Sequence, residues 1–452
     1  MIRWVGLLAV ALFLAACGGP AVSPSPVPAS PGAASATATA SRAPSIGAVE
    51  PAPGSDSAVY APNPGAIVVA IDAGHGGCLD WGVPDPSQRG VELAEKTLTL
   101  AIARRLRDLL EADGIGVVMM RDGDEALAGD NHPELGCDGP PWRDVNGDGE
   151  AGFDAEGATR TRDELQARLD LANLSGADAF ISIHINAPFD GGQTIEIAFS
   201  ETFYTDETPW GADLTASLAG AVQDGVVAAL DGLGDYERGD RGITAHNFYL
   251  VAPPLFEPTD ERPDPVKQPT RGALMPTILS EVGSITLRQE HDLLASAEGQ
   301  AATAAGIFDG LAAFFAERER AVRISLEGDT VPPAVRTVDG SGPPFWAPDV
   351  PSGPLRLRVT NTGTEELAAG SRLVAGWATD DGPYLAAPPA ALAAIGPDLP
   401  ALAPGASVVV EVEMPDPPST ERAVAWISLS GGGTTFADLG SAPLQVATGP
   451  PD

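Results

Sequence analysis

The stretch that decides the fold is Ile67 to Cys78, IVVAIDAGHGGC, a β-branched apolar run that breaks into an acid, a histidine and a cluster of glycines. An apolar run of this length, closed by turn residues, predicts a strand buried on both faces, as in a parallel sheet. The glycines allow a sharp backbone turn just beyond it. The whole chain carries five histidines, so one delivered to the end of a buried strand is a candidate for chemistry. The GHGG run lacks the Gly-Lys-Ser/Thr ending of a phosphate-binding loop.

Outward from this strand the pattern alternates. LAEKTLTLAIARRLRDLLEADG predicts a helix, with Leu98, Ile102, Leu106 and Leu109 at three- and four-residue steps and Gly114 closing it. IGVVMMR reads as a strand, RDELQARLDLANLSG as a helix and ADAFISIHINA as a buried strand carrying His184 near its end. A helix at LTASLAGAVQDGVVAAL, a strand at TILSEVG and a last helix from about 289 to 318 follow. From 64 to 320 this order predicts an open α/β mixed sheet flanked by helices, whose ligands gather beyond the carboxyl ends of the strands.

His75, His184 and Glu281 stand at such ends, and Glu95 shares the apolar face of its helix, where a carboxylate is costly unless a cation meets it. Two histidines and a carboxylate, with a fourth position for water, match the ligands of a catalytic zinc ion, and a further glutamate could serve as base. Each residue also has an ordinary reading. The histidines could be satisfied by hydrogen bonds, Glu95 could be a helix N-terminal acid favoured by the macrodipole, and Glu281 could be an ion-pair partner.

Four ordered blocks, DAGHGG, EKTLTLAIARRLRDLLE, ARLDLANLSGADAFISIHINA and MPTILSEVGS, resemble the zinc-dependent N-acetylmuramoyl-L-alanine amidases that cleave peptidoglycan. The resemblance implies zinc held by His75, Glu95 and His184 and a catalytic Glu281. Glu92 is a weaker alternative to Glu95. It further implies hydrolysis of the amide between N-acetylmuramic acid and the L-alanine of the stem peptide. Ser284 stands where the family has an aromatic residue, which bears on substrate packing. His246 lies in a segment that resembles the family's strand before the last glutamate, where facing the substrate is the lesser of its readings, and His132 and His291 are expected on the surface. Two other classes remain open: a non-catalytic wall-binding or regulatory protein with an amidase fold, and a zinc hydrolase of another amide.

An insert from about 125 to 160 departs from the family pattern. Within it Asp144, Asn146, Asp148 and Glu150, with Gly149, fit the first half of a calcium loop, although Ala155 falls where a bidentate glutamate is expected. Ca2+ is therefore an expectation for this segment beside Zn2+ for the main site.

The ends of the chain bear on location. Residues 1–17 read as a lipoprotein signal peptide, because Leu14-Ala15-Ala16-Cys17 resembles the lipobox in which the cysteine is acylated. Residues 18–63, rich in Pro, Ala, Ser and Thr, cannot support a core and are expected to form a disordered linker. The expected location is outside the cytoplasmic membrane, in the cell envelope, anchored through lipid on Cys17. Two cysteines then remain, and an oxidising compartment would pair Cys78 with Cys137, which would fix the insert beside His75. A formal charge of -36 excludes nucleic acid as a partner. Peptidoglycan and a membrane are the expected partners, and a monomer the expected state. From 335 to 449 short alternating strands (LRLRVT, RLVAGWA, SVVVEVEM, AVAWISLS, PLQVAT) predict an all-β sandwich, and this segment resembles immunoglobulin-like modules of bacterial surface proteins.

Overall fold

A computed structural model describes residues 66–448 except 78–79, 85–88, 128–161, 191, 209, 211, 253–271, 328–353, 380–390 and 417–422. Cys17, Cys78, Cys137, His132 and the segment Asp144, Asn146, Asp148 and Glu150 lie outside the described residues, as do the expected signal peptide and linker.

The α/β part runs β1 (Val68–Ala73), α1 (Glu95–Ala112), β2 (Gly116–Met119), α2 (Arg162–Ser175), β3 (Ala179–Asn186), β4 (Phe189–Asp190), β5 (Gln193–Thr194) and β6 (Ala198–Tyr204). It continues through α3 (Ala212–Leu230), β7 (Arg238–Ala245), β8 (Thr277–Ser284), α4 (Arg288–Ala295) and α5 (Ala297–Ala316). Six strands form one sheet in the order β2-β1-β3-β8-β6-β7. The four strands β2, β1, β3 and β8 are parallel, β6 runs antiparallel to β8, and β7 is parallel to β6. The sheet is therefore mixed.

Alternation along the strands explains why both faces are covered. Val69, Ile71, Ile181, Ile183, Ile278 and Val282 pack with Leu98, Ile102 and Leu106 of α1 and with the apolar faces of α3 and α5. Ala70, Phe180, Leu279 and Phe203 point the other way, against Leu169 and Ala172 of α2 and the turn at Tyr249–Val251. Along α1 the core position after Leu106 is Leu110, which is fully buried, while Leu109 is 38% exposed. The sequence reading chose the wrong one of two adjacent leucines. The four-residue step keeps the α1 stripe facing β1, whereas the three-residue step turns it toward solvent.

The all-β part opens earlier than its expected start at 335. Strand β9 (Val322–Leu326) pairs antiparallel with β10 (Leu355–Asn361), which pairs in turn with β13 (Ser407–Val412). A second antiparallel sheet contains β11 (Arg372–Thr379), β12 (Ala393–Asp398), β14 (Ala423–Gly431), β15 (Thr434–Thr435) and β16 (Leu444–Thr448). Both sheets contribute to one apolar cluster, which includes Ile324, Leu357, Val359, Leu373, Ile427 and Val446.

Candidate metal centre and base

The turn after β1 is built by its backbone contacts. His75 has φ of 64°, and among the described residues it is the single non-glycine in the left-handed region. Strain of this kind persists only where the surroundings hold it. Here they do: the buried Arg168 donates to the carbonyls of Ala73 (2.9 Å) and His75 (2.7 Å), and the buried Arg121 donates to those of Ala73 (2.8 Å) and Gly74 (3.0 Å). Arg168 is itself fixed by Asp72 (2.5 Å) and by Glu164, one turn earlier on α2 (2.8 Å).

The three expected ligands converge. One donor atom from each of His75, Glu95 and His184 lies within 4.8 Å of the others. His75 Nε2 and His184 Nδ1 each stand 3.2 Å from Glu95 Oε1. Glu95 is the first residue of α1, and its two oxygens accept from the backbone N–H of Ile185 (2.9 Å) and Val83 (2.8 Å). The outer nitrogen of His75, Nδ1, is 2.7 Å from Asp80 Oδ1. A carboxylate in that position fixes the tautomer that leaves Nε2 with its lone pair turned inward.

The donor set is also spatially exclusive. A Cβ on Gly74 would stand 2.5 Å from the His184 ring, and one on Gly82, at φ 63°, would stand 2.4 Å from both Glu95 and the His75 ring. Glycine is required at both positions for the side chains to converge. Two polar atoms at the site, His184 Nε2 and Glu281 Oε2, are buried with no hydrogen-bond partner among the described residues. Buried polar atoms are rarely left so. Two imidazoles and a carboxylate with unsatisfied atoms beside them fit a zinc ion with an open position.

Glu281 reaches the centre because β8 lies next to β3, where His184 and Glu281 are paired in register. Its carboxyl is pushed well above the ordinary value, first by burial and then by the Glu95 carboxylate; Glu201 adds to the effect and His75 opposes it. For Glu95 burial acts in the same raising sense, but His75 and then His184 overcome it and hold its carboxyl low.

Other expectations fare differently. Glu92 lies exposed in the short turn Val91–Leu93 and is not part of the cluster. His246 is exposed, edge-on to Phe248 with ring centroids 4.4 Å apart, and is not among the converging residues. Ser284 is fully buried, its hydroxyl 2.8 Å from that of Thr286. His291, read as a surface residue, is 1% exposed. Its Nε2 donates to the Leu93 carbonyl (2.8 Å), and its Nδ1 is 3.0 Å from Arg89, which ties α4 to the segment leading into Glu95. Sequence reasoning passed over Asp80, Arg121 and Arg168. The available signal was an arginine ending an apolar strand and another flanking the apolar face of a helix, both positions where a charge needs a buried partner.

Residues 69–313 match the family model described as N-acetylmuramoyl-L-alanine amidase. The chain is 35% identical over 120 residues to the germination-specific N-acetylmuramoyl-L-alanine amidase of Bacillus subtilis, a match covering 26% of this chain and 39% of that protein. It is 27% identical over 247 residues to the sporulation-specific N-acetylmuramoyl-L-alanine amidase of the same organism, covering 54% of this chain and 67% of the other. Among solved structures it is similar to the N-acetylmuramoyl-L-alanine amidase from Clostridium difficile 630, at 26% identity and a TM-score of 0.38, over 56% of this chain and 98% of that one. With more than half its length matched by one family model, the chain belongs to the N-acetylmuramoyl-L-alanine amidase family.

Proposed function

We propose that this amidase cuts the bond between N-acetylmuramic acid and the L-alanine of the peptidoglycan stem with a zinc ion held by His75, Glu95 and His184, and with Glu281 as the base. The observation that carries this reading is the convergence of the three donors beside the unpartnered, buried Glu281 Oε2. When bound, zinc supplies Lewis-acid polarisation of the carbonyl and makes water more acidic. Glu281 takes a proton from the attacking water and hands it to the departing nitrogen, so that a C–O bond forms, the C–N bond breaks, and the products are a lactyl carboxylate and a free alanine amine. Asp80 keeps the His75 imidazole oriented, while Arg168 and Arg121 hold the turn that presents it.

The setting belongs to the same proposal. The lipobox-like Leu14-Ala15-Ala16-Cys17 supports an exported enzyme anchored by lipid, with residues 18–63 as its tether. Two antiparallel sheets sharing one apolar cluster support an immunoglobulin-like sandwich at the C-terminal end. The calcium loop at Asp144, Asn146, Asp148 and Glu150 and the Cys78–Cys137 bridge rest on sequence spacing and residue count.

The deciding experiment incubates the protein with peptidoglycan, with and without a chelator, beside Glu281→Gln. Stem peptides with a free L-alanine amine should be released by the zinc-loaded protein alone. The variant should keep its zinc and lose about 100-fold or more of its rate. Release by the chelated protein would overturn the metal reading, and full activity of the variant would remove Glu281 from its role.

A further inference from the structure

Across the sheet, strand register sets a row of side chains. His184 on β3 is opposite Glu281 on β8, and Glu281 is opposite Glu201 on β6. Residues directly opposite on neighbouring strands share a face, with Cβ atoms about 5 Å apart. Two carboxylates facing each other at that distance are destabilising in a sheet, so the arrangement calls for a reason.

Glu201 is held firmly but incompletely. The Thr244 hydroxyl donates to its Oε1 at 2.8 Å. Oε2 has only a 3.7 Å ion pair to Arg241 among the described residues, and the side chain is 14% exposed. Arg241 is in turn steadied over the Phe199 ring, 3.5 Å from its centroid. One carboxylate oxygen is thus oriented by the protein and the other faces partly outward, next to the base.

In the reaction proposed above, the scissile carbonyl would stand at His75, Glu95 and His184 and its nitrogen on the Glu281 side, since Glu281 gives that nitrogen its proton. The peptide leaving with the nitrogen therefore runs on toward Glu201. Peptide units advance about 3.5 Å per residue and strands are spaced about 4.8 Å apart, so the next N–H of the stem falls near Glu201.

We propose that Glu201 is a substrate-positioning residue that accepts the N–H of the peptide bond following L-alanine, and so selects muramoyl peptides over muramoyl-alanine alone. The proposal rests on the amidase reading above with Glu281 as base. A hydrogen bond to a charged acceptor corresponds to about tenfold or more in kcat/KM.

The test uses the zinc-loaded full chain and two substrates: N-acetylmuramoyl-L-alanyl-D-isoglutamine, and its ester analogue in which oxygen replaces the isoglutamine N–H. The wild type should cleave the muramoyl–alanine amide of the ester analogue about tenfold or more slowly in kcat/KM. Glu201→Ala should lose that factor on the dipeptide and treat both substrates alike, with Glu201→Gln in between, and zinc content and Tm should show that the variants are folded. Equal wild-type rates on the two substrates would overturn the role of Glu201 and leave the amidase standing, as would an equal loss on both in Glu201→Ala. Failure of the wild type to cleave either would overturn both.

Discussion

At the scale of single residues, the site depends on side chains that fix a backbone in an unfavourable conformation and a ring in one tautomer. The Asp80 carboxylate on His75 Nδ1 is the outer partner of a proposed ligand, 2.7 Å away. Loss of such partners typically costs 10–100-fold in metal affinity. Asp80→Ala should weaken zinc binding by about that factor, read by competition with a chelating dye; unchanged affinity would show that the turn alone orients His75. Asp72 gives a pH dependence. Burial would raise its carboxyl, but Arg168, then His184 and the Ser182 hydroxyl, outweigh this and hold it below its ordinary value of 3.8. A depressed folded value means stability that is fully present above about pH 4 and lost as pH falls through the folded value. Urea unfolding from pH 7 to pH 3 should show the stability gap between wild type and Asp72→Asn closing at the acid end; a gap independent of pH would contradict it. The candidate residues were legible in the sequence, His75, His184 and Glu281 at the ends of apolar strands and Glu95 as a carboxylate on the apolar face of its helix. Arg121 and Arg168 show only as charges beside apolar segments, because their partners are largely backbone carbonyls that side-chain identity does not mark, and Asp80 lies in an aperiodic turn.

At the scale of elements, strand and helix periodicity gave the alternating half of the sheet, but not the order of its antiparallel end. Strands β6 and β7 each carry polar residues where a parallel strand would be apolar, among them Ser200, Glu201 and Thr202 on one and Arg238, Asp240 and Arg241 on the other. On β7, the edge of the sheet, these charges suit exposure, whereas on the inner strand β6 Ser200 and Thr202 are fully buried and donate to the Val282 carbonyl and to Gln223. The contact of α3 with α5 was equally hidden. A Cβ on Gly306 would stand 2.5 Å from the Gly225 carbonyl oxygen, and one on Gly310 would stand 2.5 Å from that of Ala221, so the two helices approach backbone to backbone. Alanine normally favours a helix over glycine by about 1 kcal/mol, but here it would meet main chain that cannot swing aside. Gly306→Ala should therefore destabilise by about 1–3 kcal/mol. Gly220→Ala on the same helix pair, where a Cβ meets nothing within 4 Å, should stabilise by about 0.5–1 kcal/mol. Thermal unfolding of the two variants should move Tm in opposite directions, and a rise for both would remove the close crossing.

At the scale of the whole molecule, the question is whether the β module is a passenger or part of the enzyme's stability. The composition shift that separates the two halves was legible, but β9 was not assigned to the module, since Val322–Leu326 directly follows the last helix and reads as its tail. The hydrogen bonds explain the connection. Asp178, at the start of β3, accepts from the Val68 N–H of β1 (3.0 Å) through one oxygen and from the Thr362 hydroxyl, just after β10, through the other (2.9 Å). Arg318, between α5 and β9, donates to the Asp178 carbonyl at 3.1 Å, and Thr362 and Arg318 are both buried. One aspartate thus joins β1 of the α/β sheet to the residue that follows β10 of the appended sheets. Removal of one partner of a buried hydrogen bond costs about 1–3 kcal/mol, because the group left behind is desolvated and unpaired. If the two parts share this junction, calorimetry of the wild type should show a single cooperative transition. Thr362→Val combined with Arg318→Met should lower it and divide it into two, with the catalytic part the less stable because Asp178 is its own residue. Two separate transitions in the wild type would make the module an independent appendage, and a double variant that still unfolds as one at unchanged Tm would remove these hydrogen bonds as the coupling; division by the variant would make the appended sheets a structural part of the enzyme, coupled through Asp178 to β3, the strand that carries His184.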